Sequence, residues 1–461
     1  MKLFLSIFII FYCSNLYSQI NLSPVTNLWT QSDPEVIKVA DINNDGLNDI
    51  ILGLNRESLT IHPNDYSLLI YYQNSNGTLD APVKYSFEDN YRDISSIDVG
   101  DLNQDGLNDI LIGLQSPTNS NKYGIFYQNT NNTLNNIVSF PVDARLRCAR
   151  IGDINNDGIN DMVISLYNKF IIQKQISPGL FTQTVIPRPL PDNEMKIADI
   201  NNDGKNDIVF LGSGYYKIYG YFQQNGSFAS IPDLIIDLDH VHWDMAIDDL
   251  NNDGQNDIIV TRYQNSNSKI NIFYQNNGQY STPVSLNAYE LPNTVEIADL
   301  NGDGKKEIIT PHGGWNNLSV FSQNSNNTYG SYQLFPLPYA SFYSFDGLSI
   351  DDINNDGKKD IVIANYNRGV DILYNTTTLG TKESEVSFVK IYPNPTSDKL
   401  FISNNNKYNI YIIHDTSGRL LDKGKIKENY INVEKLEVGS YYLTIYNEVE
   451  NLKINFPFIK K

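Results

Sequence analysis

A nine-residue motif returns seven times between Asp41 and Asp360, and it constrains the fold more than any other feature of the chain. Every copy has an oxygen-bearing side chain at positions 1, 3, 5 and 9, an apolar residue at position 2 and glycine at position 6. Successive copies start 46 to 60 residues apart. The copies are Asp41–Asp49, Asp101–Asp109, Asp153–Asp161, Asp199–Asp207, Asp249–Asp257, Asp299–Glu307 and Asp352–Asp360.

The side chains of the motif suit a hard cation such as Ca²⁺, which takes about six to eight oxygen ligands. Alternate side chains and the carbonyl at position 7 can surround the ion, and glycine at position 6 allows the sharp turn. The motif is not an EF-hand loop, because the glutamate at position 12 is missing. We predict up to seven Ca²⁺ sites. Their ligands are Asp41, Asn43, Asp45, Asp49, Asp101, Asn103, Asp105, Asp109, Asp153, Asn155, Asp157, Asp161, Asp199, Asn201, Asp203, Asp207, Asp249, Asn251, Asp253, Asp257, Asp299, Asn301, Asp303, Glu307, Asp352, Asn354, Asp356 and Asp360.

Short runs of β-branched residues flank every copy, so the motif joins two strands rather than two helices. Val39 stands two residues before the first copy, and the run IILGL follows that copy. A period of about 50 residues made only of β-type segments is typical of propeller blades with four strands. The sequence therefore predicts an all-β chain: a seven-bladed β-propeller with calcium loops, followed by a small C-terminal β-sandwich.

The motif and its flanking strands resemble the FG-GAP or VCBS repeat, the unit of the integrin α-subunit β-propeller and of many bacterial surface proteins. The resemblance implies the same propeller fold and the same use of the loops for calcium. The alternative is that Asp, Asn and Gly serve here only as turn formers. Seven copies that each keep three carboxylates favour the metal interpretation.

The last repeat unit lacks an obvious fourth strand after Val370 to Tyr374. The segment Ser23 to Trp29 reads SPVTNLW, a pattern like the fourth-strand segments APVKYSF and TPVSLNA. We therefore predict that this N-terminal segment completes the last blade, which removes exposed strand edges where the two ends of the propeller meet.

Residues 1–18 have the pattern of a secretory signal peptide, in which Lys2 precedes an apolar run too short to span a membrane. No second segment is a candidate membrane span. Cleavage after Ser18 would leave Cys148 as the one cysteine, so no internal disulfide can form. The net charge of −19 and the lack of a basic stripe argue against a nucleic-acid partner.

From about Glu383 the composition changes, and three ordered motifs follow. They resemble the type A C-terminal sorting domain of the type IX secretion system of Bacteroidota, which implies a small β-sandwich recognised by the secretion machinery. An ordinary Ig-like accessory module is the alternative. The matching residues are Tyr392, Pro393, Asn394, Pro395, Asp415, Ser417, Gly418, Arg419, Leu436, Gly439, Tyr441 and Tyr442.

These patterns predict four segments and a secreted or outer-membrane-surface location. The segments are a signal peptide at 1–18, the propeller at 19–378, a linker at 379–386 and the sorting domain at 387–461.

Two classes of function remain open, because the chain carries no HExxH, G-x-S-x-G, P-loop or Cys-His metal motif. The first is a binding or adhesion module for a glycan or a surface protein. The second is a carbohydrate-active enzyme, either a polysaccharide lyase or a hydrolase.

Ligand-binding residues are expected on the face opposite the calcium loops, where segments vary from blade to blade. Aromatic faces with nearby polar groups suit sugar rings. The alternative is that the tryptophans pack between blades and the histidines cap strand ends. The candidate residues are His240, His242, Trp243, Asp244, Arg262, Tyr263, His312 and Trp315, with Tyr91, Arg92, Arg145, Arg147 and Arg368 as an extension.

Overall fold

The computed structural model divides the chain into two compact units, Met1–Leu379 and Gly380–Lys461. Its described residues contain β-strands and no helix, which confirms the all-β fold class. The predicted signal peptide, the linker at 379–386 and the residues Tyr91, Arg92, Ser417 and Gly418 lie outside them. The described residues are 20–55, 62–87, 93–115, 121–188, 192–212, 216–324, 326–340, 343–378, 391–402, 408–416, 419–426, 429–447 and 452–461.

The described residues of the first unit form seven antiparallel sheets of four strands, here called sheets 1 to 7 in chain order. A short strand, β1 (Thr26–Leu28), precedes them. Sheet 1 is β2 (Asp33–Ala40), β3 (Asp49–Asn55), β4 (Ser67–Tyr71) and β5 (Val83–Ser86). Sheet 2 is β6 (Asp93–Gly100), β7 (Asp109–Gln115), β8 (Lys122–Phe126) and β9 (Val138–Pro141). Sheet 3 is β10 (Leu146–Gly152), β11 (Asp161–Leu166), β12 (Lys169–Ser177) and β13 (Leu180–Pro187).

The remaining sheets repeat this order. Sheet 4 is β14 (Asp192–Ala198), β15 (Asp207–Gly212), β16 (Lys217–Tyr221) and β17 (Leu234–Asp237). Sheet 5 is β18 (His242–Asp248), β19 (Asp257–Arg262), β20 (Lys269–Phe273) and β23 (Val284–Asn287), with the hairpin β21 (Gln275–Asn276) and β22 (Gln279–Tyr280) before β23. Sheet 6 is β24 (Glu296–Ala298), β25 (Glu307–Pro311), β26 (Asn317–Phe321) and β27 (Gln333–Pro336). Sheet 7 is β28 (Leu348–Asp351), β29 (Asp360–Asn365), β30 (Gly369–Leu373) and, at its outer edge, β1.

The first strands of the seven sheets contact one another in cyclic order, from β2 through β6, β10, β14, β18, β24 and β28 back to β2. A separate cluster of buried apolar side chains lies between each pair of neighbouring sheets, including sheets 7 and 1. Sheets covered on both faces explain why the second and third strands are almost wholly apolar rather than alternating. The arrangement is propeller-like.

Strand β1 pairs with β30, with Thr26 opposite Ile372 and Leu28 opposite Val370. Ile20 is buried in the apolar cluster between sheets 6 and 7, and the Ser23 N–H donates to the Tyr374 carbonyl at 2.8 Å. These contacts confirm that the N-terminal segment supplies the outer strand of the last sheet.

The second unit has two sheets that share one apolar core, in which Leu400, Ile431, Ile413, Leu443 and Phe458 are buried. A three-stranded and a four-stranded sheet that cover the same core form a small β-sandwich. The strands are β31 (Ile391–Tyr392), β32 (Lys399–Ile402), β33 (Ile410–Asp415), β34 (Leu420–Lys425), β35 (Tyr430–Asn432), β36 (Gly439–Asn447) and β37 (Leu452–Lys460). The smaller sheet contains β31, β32 and β35.

Candidate functional site

The nine-residue motif forms a loop between the first and second strands of every sheet. In the first loop the Asp41 carboxylate accepts the N–H groups of Asp45 and Gly46, at 3.1 and 2.8 Å. The Asn43 side-chain oxygen accepts the Asp45 N–H at 3.0 Å, and the Asp45 carboxylate accepts the Leu47 N–H at 2.9 Å. Gly46 turns the chain with φ of 86°. The bonds accepted by positions 1, 3 and 5 from the N–H groups of positions 6, 5 and 7 recur in all seven loops.

The acid at position 9 lies in the interior beneath each loop. The Asp49 carboxylate accepts the N–H groups of Ile42 and Gln73, at 3.1 and 2.9 Å. Burial, followed by the nearby charges of Asp45 and Asp41, raises the pKa of Asp49 to about 7. The same causes raise the pKa of Glu307 to about 8. A buried carboxylate whose pKa is raised by neighbouring acids is one that a bound cation would favour in its charged form.

Throughout the described part of the chain, no three His, Cys, Asp or Glu side chains are arranged so that they could hold a metal ion. The calcium sites therefore stay a prediction. The oxygen atoms at positions 1, 3 and 5 lie within five residues of chain in every loop and suit a hard cation by their chemistry.

Asparagine at position 8 connects each of the first five loops to a neighbouring loop. The Asn108 side-chain amide donates to the Asp41 carbonyl at 2.8 Å, and Asn48 donates to the Asp352 carbonyl of the seventh loop at 3.2 Å. The equivalent asparagines of loops 3, 4 and 5 make the same bond. The loops that these bonds connect therefore lie side by side. Sequence reasoning missed this role, although asparagine at position 8 in five of seven copies was a visible signal.

Two of the predicted ligand-binding histidines are interior residues. The His312 ring bonds to the Glu290 carbonyl at 2.9 Å and to the Ser319 hydroxyl at 2.7 Å. The His242 ring bonds to the His240 carbonyl at 2.8 Å and to the Asn271 amide at 3.1 Å. Burial lowers the pKa of both imidazoles to about 4, so both are neutral at pH 7. Their ring nitrogens serve the fold and are not presented to a ligand.

Asp244 is also fully buried, and it joins sheet 5 to sheet 6. Its carboxylate accepts the N–H groups of Met245 and Val295, both at 2.8 Å, and the Thr294 hydroxyl at 2.9 Å. Burial raises its pKa to about 8. This carboxyl group therefore stabilises the contact between the two sheets and does not lie on the surface.

The predicted aromatic residues separate into two groups. Trp243 is stacked with Tyr263 and packs at a tilt against Phe345, with both pairs of ring centroids 4.9 Å apart. Trp315 meets the edge of Tyr289 at 6.3 Å. Its side chain is 39% exposed.

One polar candidate near these aromatic groups, Arg262, has a charged partner within the protein. The Arg262 guanidinium pairs with Asp239 at 2.7 Å. His240 is half-buried and lies 6.4 Å from the Tyr216 ring.

A cavity of about 340 Å³, here called the axial mouth, brings Trp243 together with two residues of the predicted extension, Arg145 and Arg147. Glu35 and Phe345 also line it. These residues lie in or just before the first strands of sheets 1, 3 and 5 and in the segment before sheet 7. The starts of the first strands lie here, on the face opposite the loops.

Residues 343–347, here called the axial segment, bond to several sheets at the centre of the ring. The Ile37 N–H donates to the Asp346 carbonyl at 2.7 Å, and the Trp243 indole N–H donates to the Tyr343 carbonyl at 3.3 Å. The Thr294 hydroxyl, which also contacts Asp244, lies 2.9 Å from the Phe345 carbonyl oxygen. Ser344 and Phe345 of this segment line the axial mouth, and Asp346 lines a second cavity.

Below the axial segment, charged side chains from the first strands line a second cavity of about 340 Å³. The Arg150 guanidinium pairs with Glu194 at 2.5 Å and with Asp346 at 2.7 Å, and Lys38 pairs with Asp98 at 3.2 Å. Sequence reasoning missed this network. The sequence feature that could have predicted it is a charged residue three positions before the motif in five of the seven copies.

Comparison with known proteins identifies two families in the chain. A model of the FG-GAP-like repeat matches residues 41–112, 199–260 and 249–310, and a model of the secretion system C-terminal sorting domain matches residues 390–456. No curated protein matches the chain. No described helix has the length and apolar character needed to cross a membrane.

Similar solved structures are distant in sequence. PorZ, a surface component of the type IX secretion system of Porphyromonas gingivalis, is 15% identical with a TM-score of 0.44, and the match covers 95% of this chain and 60% of PorZ. A rhamnogalacturonan lyase of Bacillus licheniformis is 13% identical with a TM-score of 0.44, covering 78% of this chain and 76% of that one. The core factor of S. cerevisiae is 13% identical with a TM-score of 0.47, covering 80% and 64%.

The family matches agree with the sequence motifs quoted above for both units. The chain therefore carries FG-GAP-like repeats and a C-terminal sorting domain of the type IX secretion system, which indicates export to the cell surface or the extracellular space.

Proposed function

We propose that the first unit is a closed seven-bladed β-propeller that binds up to seven Ca²⁺ ions and acts as an exported binding module for a glycan or a surface protein. Three observations support the closed ring. Sheets 7 and 1 share an apolar cluster, β1 pairs with β30, and the amide bond of Asn48 joins the first loop to the seventh.

The loop residues fit calcium by the chemistry of their donors. Each loop offers carboxylates at positions 1 and 5, an amide oxygen at position 3 and a backbone carbonyl at position 7, with no sulfur or imidazole. A bound ion would supply positive charge among acids that otherwise repel one another. The chain's part is to hold the loop backbone in its turn through the hydrogen bonds described above.

The binding role is carried by the aromatic group at the axial mouth. Trp243 is half-buried, and its position is fixed by Tyr263, Phe345 and the bond from its indole N–H. An aromatic side chain held rigidly beside a concave cavity loses little conformational entropy when a ligand binds. Sugar rings pack against such side chains and bond to polar groups at their edges.

A glycan array with the full chain tests this proposal. Trp243→Ala should abolish retention of the bound glycan while thermal unfolding stays close to that of the unchanged protein. Trp315→Ala is the matched control, because Trp315 belongs to the second aromatic group. Retention that survives Trp243→Ala in a folded protein would refute the assignment. New reducing or unsaturated ends on a polysaccharide would instead favour the enzyme alternative.

A further inference from the structure

The two arginines that line the axial mouth favour an anionic ligand over a neutral one, a preference that its aromatic residues alone would not provide. We propose that the axial mouth binds an acidic sugar, with Arg145 and Arg147 holding a uronate carboxylate against the wall formed by Trp243 and Phe345. This inference rests on the proposed binding function and specifies its ligand class.

Strand geometry brings the two guanidinium groups to one cavity. Arg145 immediately precedes β10 and Arg147 is its second residue, and both line the axial mouth, while Leu146 between them is fully buried. The Arg145 Nε donates to the Gln115 side-chain oxygen at 3.2 Å, which orients its guanidinium. Arginine forms paired hydrogen bonds with a carboxylate more readily than lysine does.

The described residues that line the axial mouth carry more positive than negative charge, whereas the whole chain is acidic. The chain has a net charge of −19, and the seven acidic loops lie on the other face. Among the described residues that line the axial mouth, the charged side chains are Arg145, Arg147 and Glu35, so two positive charges stand against one negative charge. An excess of arginine in a cavity attracts anionic ligands at short range. Salt screens the charges of the distant acidic loops over such distances.

The size and shape of the cavity favour a sugar over a folded protein partner. A volume of about 340 Å³ is at the lower end of the range for small-molecule sites. A stable protein interface needs roughly 800 Å² on each partner and is usually flatter. The aromatic wall suits the apolar face of a sugar ring, whereas an extended acidic peptide would use the arginines alone.

Calorimetric titration of the full chain in calcium-containing buffer tests the inference. The probes are tetramers of glucuronate, galacturonate and mannuronate, each paired with its carboxyl-reduced counterpart, and poly-glutamate as an acidic peptide. We expect at least one uronate tetramer to bind at least about tenfold more tightly than its reduced partner, and its affinity to fall as salt is raised.

Substitutions then locate the site. Arg145→Gln and Arg147→Gln should each weaken uronate binding about tenfold or more, since each removes charged hydrogen bonds. Arg145→Lys should recover part of the affinity. Arg368→Gln is the matched control, because Arg368 is exposed on the same face and does not line the cavity. Thermal unfolding verifies that each variant is folded. If Arg147→Gln does not fold, Arg145→Gln still tests the inference, because Arg145 is exposed.

Each remaining outcome has one meaning. Equal binding of acidic and reduced sugars, with Trp243 still required, would overturn the inference and leave the proposed function standing. Binding of poly-glutamate with the same arginine dependence and no uronate binding would also overturn it, in favour of an acidic protein. If no uronate binds, the inference fails, and if the glycan array is also empty the glycan function fails with it.

Discussion

Calcium should raise the thermal midpoint of the first unit by an amount that follows from its seven loops. If each site has a dissociation constant of about 1 mM, then 10 mM calcium stabilises the folded state by about 1.4 kcal/mol per site, or about 10 kcal/mol for seven sites. A unit of roughly 360 residues has an unfolding entropy near 0.75 kcal/mol/K, so the midpoint should rise by about 13 °C.

Differential scanning calorimetry in excess chelator and in 10 mM calcium measures this rise directly. Asp45→Asn keeps a side-chain oxygen that can accept the Leu47 N–H bond but removes one carboxylate from the first loop. The variant should lose about one seventh of the rise, roughly 2 °C, with little change in chelator. Magnesium should replace calcium poorly because it demands tighter octahedral geometry. Equal midpoints in calcium and in chelator would refute the metal interpretation.

Three further perturbations test the rest of the structure. Buried neutral imidazoles lower the free energy of unfolding as pH falls from about 6.5 to about 4, because the unfolded state binds protons more tightly. His312→Gln should make this decrease less steep, as measured by denaturant titrations across this pH range. Deleting residues 19–29 removes β1 and the buried Ile20, so the thermal midpoint should fall sharply, and an unchanged midpoint would contradict ring closure. Asp346→Asn leaves Arg150 with one carboxylate fewer and should cost about 3 to 5 kcal/mol in stability, a shift of roughly 4 to 7 °C.

The repeat made much of the fold predictable. Seven copies of one motif between β-branched runs gave the strand order, and the segment Ser23 to Trp29 gave the pairing of β1 with β30. Both follow from local patterns, namely turn chemistry and apolar runs. The sorting domain was recognisable for the same reason, since its motifs lie in short continuous segments.

The candidate site was less predictable because its geometry depends on alternation and on distant contacts. In the segment HVHWD, His242 and Asp244 are buried while Trp243 between them lines the axial mouth, at an irregularity in the pairing of β18 with β19. The sequence analysis grouped all three. Asp346 pairs with Arg150, which is 196 residues away in sequence, and no local sequence pattern predicts such a contact.

The axial segment also bears on how a protein of this kind can change over evolution. Repeat proteins gain and lose units by duplication, because each unit contacts only its neighbours. Here one segment bonds to Ile37 of sheet 1, Arg150 of sheet 3, Trp243 of sheet 5 and Thr294 beside sheet 6. In the closed ring proposed above, one unit more or fewer would change the diameter and break several of these bonds at once. The proposal therefore implies that selection can change the number of repeats only together with the axial segment.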